Sequence, residues 1–65
     1  MIKIEVGKTY EGIENGHRFK VLSLVNKEDR IFEIKDLYGK QKTRYHSGVF
    51  LEHLKIKEVS EEERI

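Results

Sequence analysis

Five glycines divide this chain into short runs that are rich in β-branched and aromatic residues. They stand at positions 7, 12, 16, 39 and 48. Glycine adopts the positive φ that tight turns need, and apolar runs of this length between turns are typical of strands. Over 65 residues, the pattern predicts a single, mainly β domain of about five short strands.

The N-terminal run predicts the first strand. Ile2, Ile4 and Val6 alternate with polar residues, which is the period of a strand with one buried face. This strand is expected to end at Gly7, and the polar stretch from there to Gly16 is expected to form a long loop that contains Tyr10.

Later runs predict the remaining strands and one helical turn. The strands are expected at residues 19–25, 30–38, 41–46 and 55–59. A polar turn separates the first two, and Gly39 marks a hairpin turn before the third. Ser47 is a typical helix N-cap, and Phe50, Leu51 and Leu54 follow at helical spacing, which predicts a short helix before the last strand.

A row of basic residues occupies one face of the fourth predicted strand. Lys42, Arg44 and His46 recur with period 2, which sets them about 7 Å apart along the strand, close to the phosphate spacing of a single-stranded nucleic acid. The row predicts a surface for an anionic partner. The alternative is a solvated outer face that protects an edge strand from aggregation.

Aromatic residues form the second group of candidates. Tyr10 in the early loop and Tyr38 at the hairpin are expected to be partly exposed, where they would line a groove for an extended peptide. Tyr45 and Phe50 are expected to face the core.

Residues that would indicate catalysis or metal binding are not arranged for it. His17, His46 and His53 lack the tight spacing of a zinc site, and Glu52 is expected to be an ordinary helix-surface residue. No serine lies in a nucleophile motif, and the glycines form no phosphate-binding run. We therefore expect no enzyme activity, no metal and no cofactor.

Composition and charge limit where the protein is expected to act and which partners it is expected to bind. The chain has no cysteine, no apolar run near the ~20 residues of a membrane span and no signal-peptide pattern at its N-terminus, which favours a cytoplasmic protein without a membrane contact. Residues 1–59 are expected to form the domain and residues 60–65 a frayed acidic tail. The domain carries 12 basic and 9 acidic side chains, an excess too small for a dedicated nucleic-acid domain.

The order of strands, loop and helical turn resembles the SH3-like small barrel, whose last strand is commonly preceded by such a turn. Short pieces also resemble an uncharacterised group of small bacterial and phage proteins of that type. These pieces are Gly16-x-x-Phe19-x-Val21-Leu22, Leu37-Tyr38-Gly39 and Phe50-Leu51-Glu52. The resemblance implies the fold and no activity; a five-stranded OB-like barrel is the alternative architecture.

These observations favour a non-enzymatic binding module, such as a phage- or plasmid-type inhibitor or adaptor that binds a host protein. The contact residues are predicted to be Tyr10, Tyr38, Lys42, Arg44 and His46, because aromatic and arginine side chains commonly anchor interfaces. The alternatives are a barrel that binds nucleic acid through the basic strand and a binder of a small anionic nucleotide. A homodimer through an edge strand is also predicted, since so small a domain buries little apolar area by itself.

Overall fold

The computed structural model describes residues 2–60, which form five antiparallel strands and one short helix. In chain order these are β1 (Thr9–Gly12), β2 (Arg18–Asn26), β3 (Ile31–Asp36), β4 (Thr43–Ser47), α1 (Gly48–Glu52) and β5 (Ile56–Val59). The prediction of a mainly β fold with a short helix before the last strand is confirmed.

All five strands belong to one sheet, in the order β4-β3-β2-β1-β5. Each strand is antiparallel to its neighbours, and β5 returns to pair with β1 at the far side from β4. The pairings leave the sheet open, with β4 and β5 as its two edges.

The core lies on one face of this sheet. Its buried members are Ile4, Tyr10, Phe19, Val21, Phe32, Ile34 and Leu51. Alternate residues of β1, β2 and β3 supply most of them, α1 supplies one, and the N-terminal segment supplies another. Phe32 and Ile34, at alternate positions of β3, are both buried.

The prediction of a first strand over Ile2–Val6 is wrong. This segment has no strand structure, and β1 lies within the predicted loop instead. The amides of Ile4 and Glu5 donate to side chains, the Glu52 carboxylate at 3.2 Å and the Tyr10 hydroxyl at 3.0 Å. These side chains satisfy the backbone groups that a neighbouring strand would otherwise bond, while Val6 stays exposed.

Tyr10 is a core residue, so the expectation that it is partly exposed is wrong. Its side chain is 1% exposed and its ring packs against Phe19 at a centroid distance of 5.6 Å. The hydroxyl donates to the Lys3 carbonyl at 3.2 Å and accepts from the Glu5 amide. Burial raises the pKa of this hydroxyl. Tyr10 therefore holds the N-terminal segment against the sheet by hydrogen bonds, and its side chain is too buried to contact a partner.

The side chains of β4 alternate between two faces as predicted, but the face that turns toward the core is that of Arg44 and His46 and not that of Tyr45. Arg44 and His46 lie across from core residues of β3, whereas Tyr45 lies across from Glu33 on the outer face. Tyr45 is 61% exposed and its hydroxyl donates to the Glu33 carboxylate at 3.4 Å. Phe50 is also exposed, so the prediction that these two rings enter the core is wrong.

Ser47 caps α1 as predicted. Its hydroxyl oxygen accepts a hydrogen bond from the Phe50 amide at 3.1 Å, which satisfies one of the free donors of the first helical turn. The cap fixes where β4 ends and α1 begins, and so places Phe50 beside β4.

Within residues 2–60, no helix is long and apolar enough to cross a membrane. The predicted acidic tail falls, from residue 61 onward, outside the residues that the structure describes.

Candidate functional site

A groove of about 450 Å³ opens on the core face of the sheet. Its lining comes from the segment before β2, from β3 and β4, and from α1 and the residues that follow it. Phe19, Ile34 and Leu51 form its buried apolar part. The groove is therefore continuous with the core, and its apolar lining comes from β2, β3 and α1.

Two stacked ring pairs stand in the wall of the groove. His17 stacks on Tyr38 with ring centroids 3.9 Å apart and planes 19° apart. His46 stacks on Phe50 at 4.7 Å and 24°. Each pair joins two separate parts of the chain, and Tyr38 and Phe50 each remain partly exposed. The stacks hold these rings in place while leaving them open to a ligand.

An ion pair joins β3 to β4 beside these rings. The Arg44 Nε lies 2.9 Å from an Asp36 carboxylate oxygen. The Asp36 side chain is nearly buried, whereas half of the Arg44 side chain is exposed. The Asp36 amide also donates to the Lys42 carbonyl at 2.8 Å, which fixes the carboxylate relative to the hairpin. Because guanidinium has five donors, Arg44 retains donors for a further acceptor.

Charges at the rim are balanced. Lys55 and Glu14 form an exposed pair at 3.4 Å, and both residues line the groove together with Arg44 and Asp36. The fixed charges of the lining therefore cancel. His53 also lines the groove, and its Nδ1 lies 2.7 Å from the Val49 carbonyl, which leaves Nε2 for another contact.

The structure brings together three of the five predicted contact residues. Tyr38, Arg44 and His46 line the groove, whereas Lys42 lies exposed just before β4 and outside the lining, and Tyr10 is in the core. The lining residues that were not predicted as contacts include His17, Asp36 and Phe50. The Ser47 cap places Phe50 in the first turn of the helix and was available from the sequence. The His17–Tyr38 pair has no sequence signal, because strand pairing alone joins the two residues.

The lining has the chemistry of a binding surface. It combines aromatic rings and apolar side chains with one guanidinium and three imidazoles, which can orient a ligand by hydrogen bonds. None of the serines lies in it. Within residues 2–60, no three histidine or acidic side chains are grouped so that they could hold a metal ion.

Comparisons of this chain with protein-family models, with curated proteins and with solved structures gave no match in any of the three. The groove and the strands around it therefore provide the basis for inferring what the protein binds.

Proposed function

We propose that this chain is a non-enzymatic binding module that takes an extended segment of a partner protein into the groove. The observation that carries the proposal is the pair of ring stacks, His17–Tyr38 and His46–Phe50, held on a groove of about 450 Å³. Rigid, partly exposed aromatic rings beside an arginine are the groups that most often anchor protein interfaces.

The charge arrangement favours a protein over a nucleic acid. The Arg44, Lys55 and Lys57 side chains each lie within ion-pair distance of a carboxylate of the chain itself. Nucleic-acid binding depends on an excess of cations over carboxylates, and these three cations are each offset by a carboxylate of the chain. A mixed-charge aromatic groove suits a peptide segment better.

We also propose that the fold is an SH3-like small barrel and that the protein acts as an accessory inhibitor or adaptor. Support for the fold comes from α1, which stands directly before β5, and from two register shifts in β2, between Val21 and Ser23 and between Leu24 and Asn26. Bulges of this kind bend a strand and allow a small sheet to curl. An experimental structure in which the β4 and β5 edges remain far apart would contradict the barrel.

Peptide display tests the binding function. A library of random peptides of about eight residues, the length of an ordinary strand with its flanks, is selected on the purified protein. We expect enrichment of peptides with aromatic or aliphatic side chains. Their affinity should fall about tenfold or more in Phe50→Ala, a loss of about 1.4 kcal/mol.

Val49→Ala is the matched control. Val49 lies in the same helix and is exposed like Phe50, but it does not line the groove. We expect its affinity to stay within about twofold of the parent, well below a tenfold effect. Equal losses in both variants, or no enrichment, would contradict the proposal. Oligonucleotide binding with a log–log salt slope near −0.7 per phosphate contact would favour the nucleic-acid alternative instead.

A further inference from the structure

The free edge of β4 carries a row of outward-facing backbone groups. The Asp36 amide bonds the Lys42 carbonyl, and the Gly48 amide bonds the Arg30 carbonyl. The register between these two bonds is regular. Because bonded residues alternate in an antiparallel ladder, Arg44 and His46 bond β3 and the residues between them face away. The N–H and C=O groups of Thr43 and Tyr45 and the N–H of Ser47 therefore point outward from the sheet, whereas the Ser47 carbonyl, at the N-cap of α1, accepts the first bond of the helix.

This edge lacks the features that usually block the pairing of exposed strands. Residues 43–47 contain no proline, no lysine and no bulge, and the one charged residue, Arg44, is turned inward to Asp36. Thr43 and Tyr45 are exposed. On the opposite edge, β5 contains Lys57, and lysine on an edge strand discourages further pairing. Among the described strands, β4 is the edge most open to addition.

The charge around β4 indicates what could be added. From residue 37 to residue 51 the chain carries three cations, Lys40, Lys42 and Arg44, and no aspartate or glutamate. Because Asp36 of β3 offsets Arg44, the local excess of positive charge comes from the two lysines. A second copy paired through the same strand would bring these like charges together, which disfavours a β4–β4 dimer. A segment with carboxylates on it would be attracted.

We propose that β4 binds an extended acidic segment of a partner protein as a sixth strand of the sheet. This inference rests on the proposed function and adds the mode and the chemistry of binding. The segment's backbone bonds Thr43, Tyr45 and Ser47, while alternate side chains lie over the groove beside His46 and Phe50. Its carboxylates lie near Lys42 and the exposed part of Arg44.

The same backbone pattern favours a peptide over a nucleic acid. Thr43 and Tyr45 each present both a donor and an acceptor at the edge of β4, and a peptide strand matches both. A phosphate backbone offers acceptors alone, so the outward carbonyls of β4 would face phosphate oxygens without a hydrogen bond.

The test begins with two peptide libraries of about eight residues. In one library, the alternate positions that form one face of the strand carry two glutamates and two residues drawn from Phe, Leu, Ile and Val, with threonine at the positions between. The other library replaces the glutamates with lysine. We expect binders from the glutamate library alone. The tightest binder is then N-methylated at one residue at a time. If the peptide adds as a strand, the effect of N-methylation on its affinity should alternate along the peptide. Affinity should fall about tenfold or more where the methylated N–H faces β4, and less than about twofold at the residues between.

Amide hydrogen exchange supplies an independent readout on the protein. In the free protein the amides of Arg44 and His46 should exchange slowly, and those of Thr43, Tyr45 and Ser47 rapidly. The tightest binder should slow the second set. Thr43→Pro removes one outward donor and should weaken binding, whereas Thr43→Ala keeps the donor and should not; proline is tolerated at an edge position whose N–H faces solvent.

The outcomes separate this inference from the function on which it rests. Peptides that bind and lose affinity in Phe50→Ala, but show no alternation on N-methylation, would overturn strand addition and leave the groove as the binding site. Failure of every peptide would overturn both. An oligothymidine of about 12 nucleotides that slows the same amides, or a dimer mass in light scattering with these amides already protected, would overturn the acidic peptide as the occupant.

Discussion

The guanidinium of Arg30 contacts both carboxylate oxygens of Glu52, at 3.4 Å from Nη1 and 2.8 Å from Nη2. The same carboxylate accepts the Ile4 amide at 3.2 Å. Three separate parts of the chain therefore meet at one side chain: the N-terminal segment, the turn between β2 and β3, and α1. Glu52 is 14% exposed, so the expectation that it is an ordinary helix-surface residue is wrong.

Replacing this carboxylate should destabilise the fold. Glu52→Gln keeps the size of the side chain but removes the charge that Arg30 bonds, and we expect a lower urea midpoint with an unchanged m-value. Glu14→Gln is the matched control, because Glu14 pairs with Lys55 and both side chains are about three-quarters exposed. Exposed pairs of this kind contribute little. Equal midpoints for the two variants would contradict a structural role for Glu52.

Stability should also fall in acid through this residue. The hydrogen bonds from Arg30, followed by the bond from the Ile4 amide, lower the pKa of Glu52 below its ordinary value of 4.5. A carboxyl whose pKa is lower in the folded state stabilises fully above its unfolded pKa and loses that contribution as the pH falls through the folded value.

The measurement is the free energy of unfolding from about pH 7 to about pH 3. Below pH 4.5 the parent should lose stability more steeply than Glu52→Gln, because the variant has no carboxyl to protonate at this position. Arg18 also lowers the pKa of Glu11, so both proteins should retain some acid dependence. Parallel curves would show that Glu52 makes no contribution.

A side chain at Gly48 should displace the Arg30 guanidinium. A Cβ at this position would lie 2.8 Å from the Arg30 Cζ and 3.0 Å from a ring carbon of Phe32. Alanine favours a helix over glycine by about 1 kcal/mol, yet we expect Gly48→Ala to destabilise, since the guanidinium must move away from Glu52. The cost should shrink in an Arg30→Ala background. Additive effects in this double-mutant cycle would argue against the coupling.

Leu51 should be the costliest position in the helix. It is nearly inaccessible and belongs to the core, so Leu51→Ala should lose about 2–5 kcal/mol. A domain of this size has roughly 3–10 kcal/mol of stability in total, so the variant should be close to unfolding at room temperature. Leu54→Ala, at a half-exposed groove position, should cost less than about 1 kcal/mol. Circular dichroism with urea measures both.

Local patterns in the sequence predicted the elements from residue 18 onward. Period-2 runs located β2, β3, β4 and β5, and the Ser47 cap located α1, because each signal involves residues close together in the chain. The N-terminal pattern failed for a physical reason. Alternation at Ile2, Ile4 and Val6 records which side chains could share a face, but a strand also needs a neighbour to bond, and the Tyr10 and Glu52 side chains bond this backbone instead.

The sequence by itself determined the four strands β2 to β5, the short helix and the division of β4 into two faces, since these follow from backbone periodicity and capping. Only the tertiary structure decided which face of β4 turns inward. The register opposite β3 brought Arg44 and His46 to the groove and left Tyr45 outside. The tertiary structure also brought His17 against Tyr38 and Arg30 against Glu52, residues that are far apart in the chain. Such pairs depend on which strands become neighbours, and no local spacing encodes that.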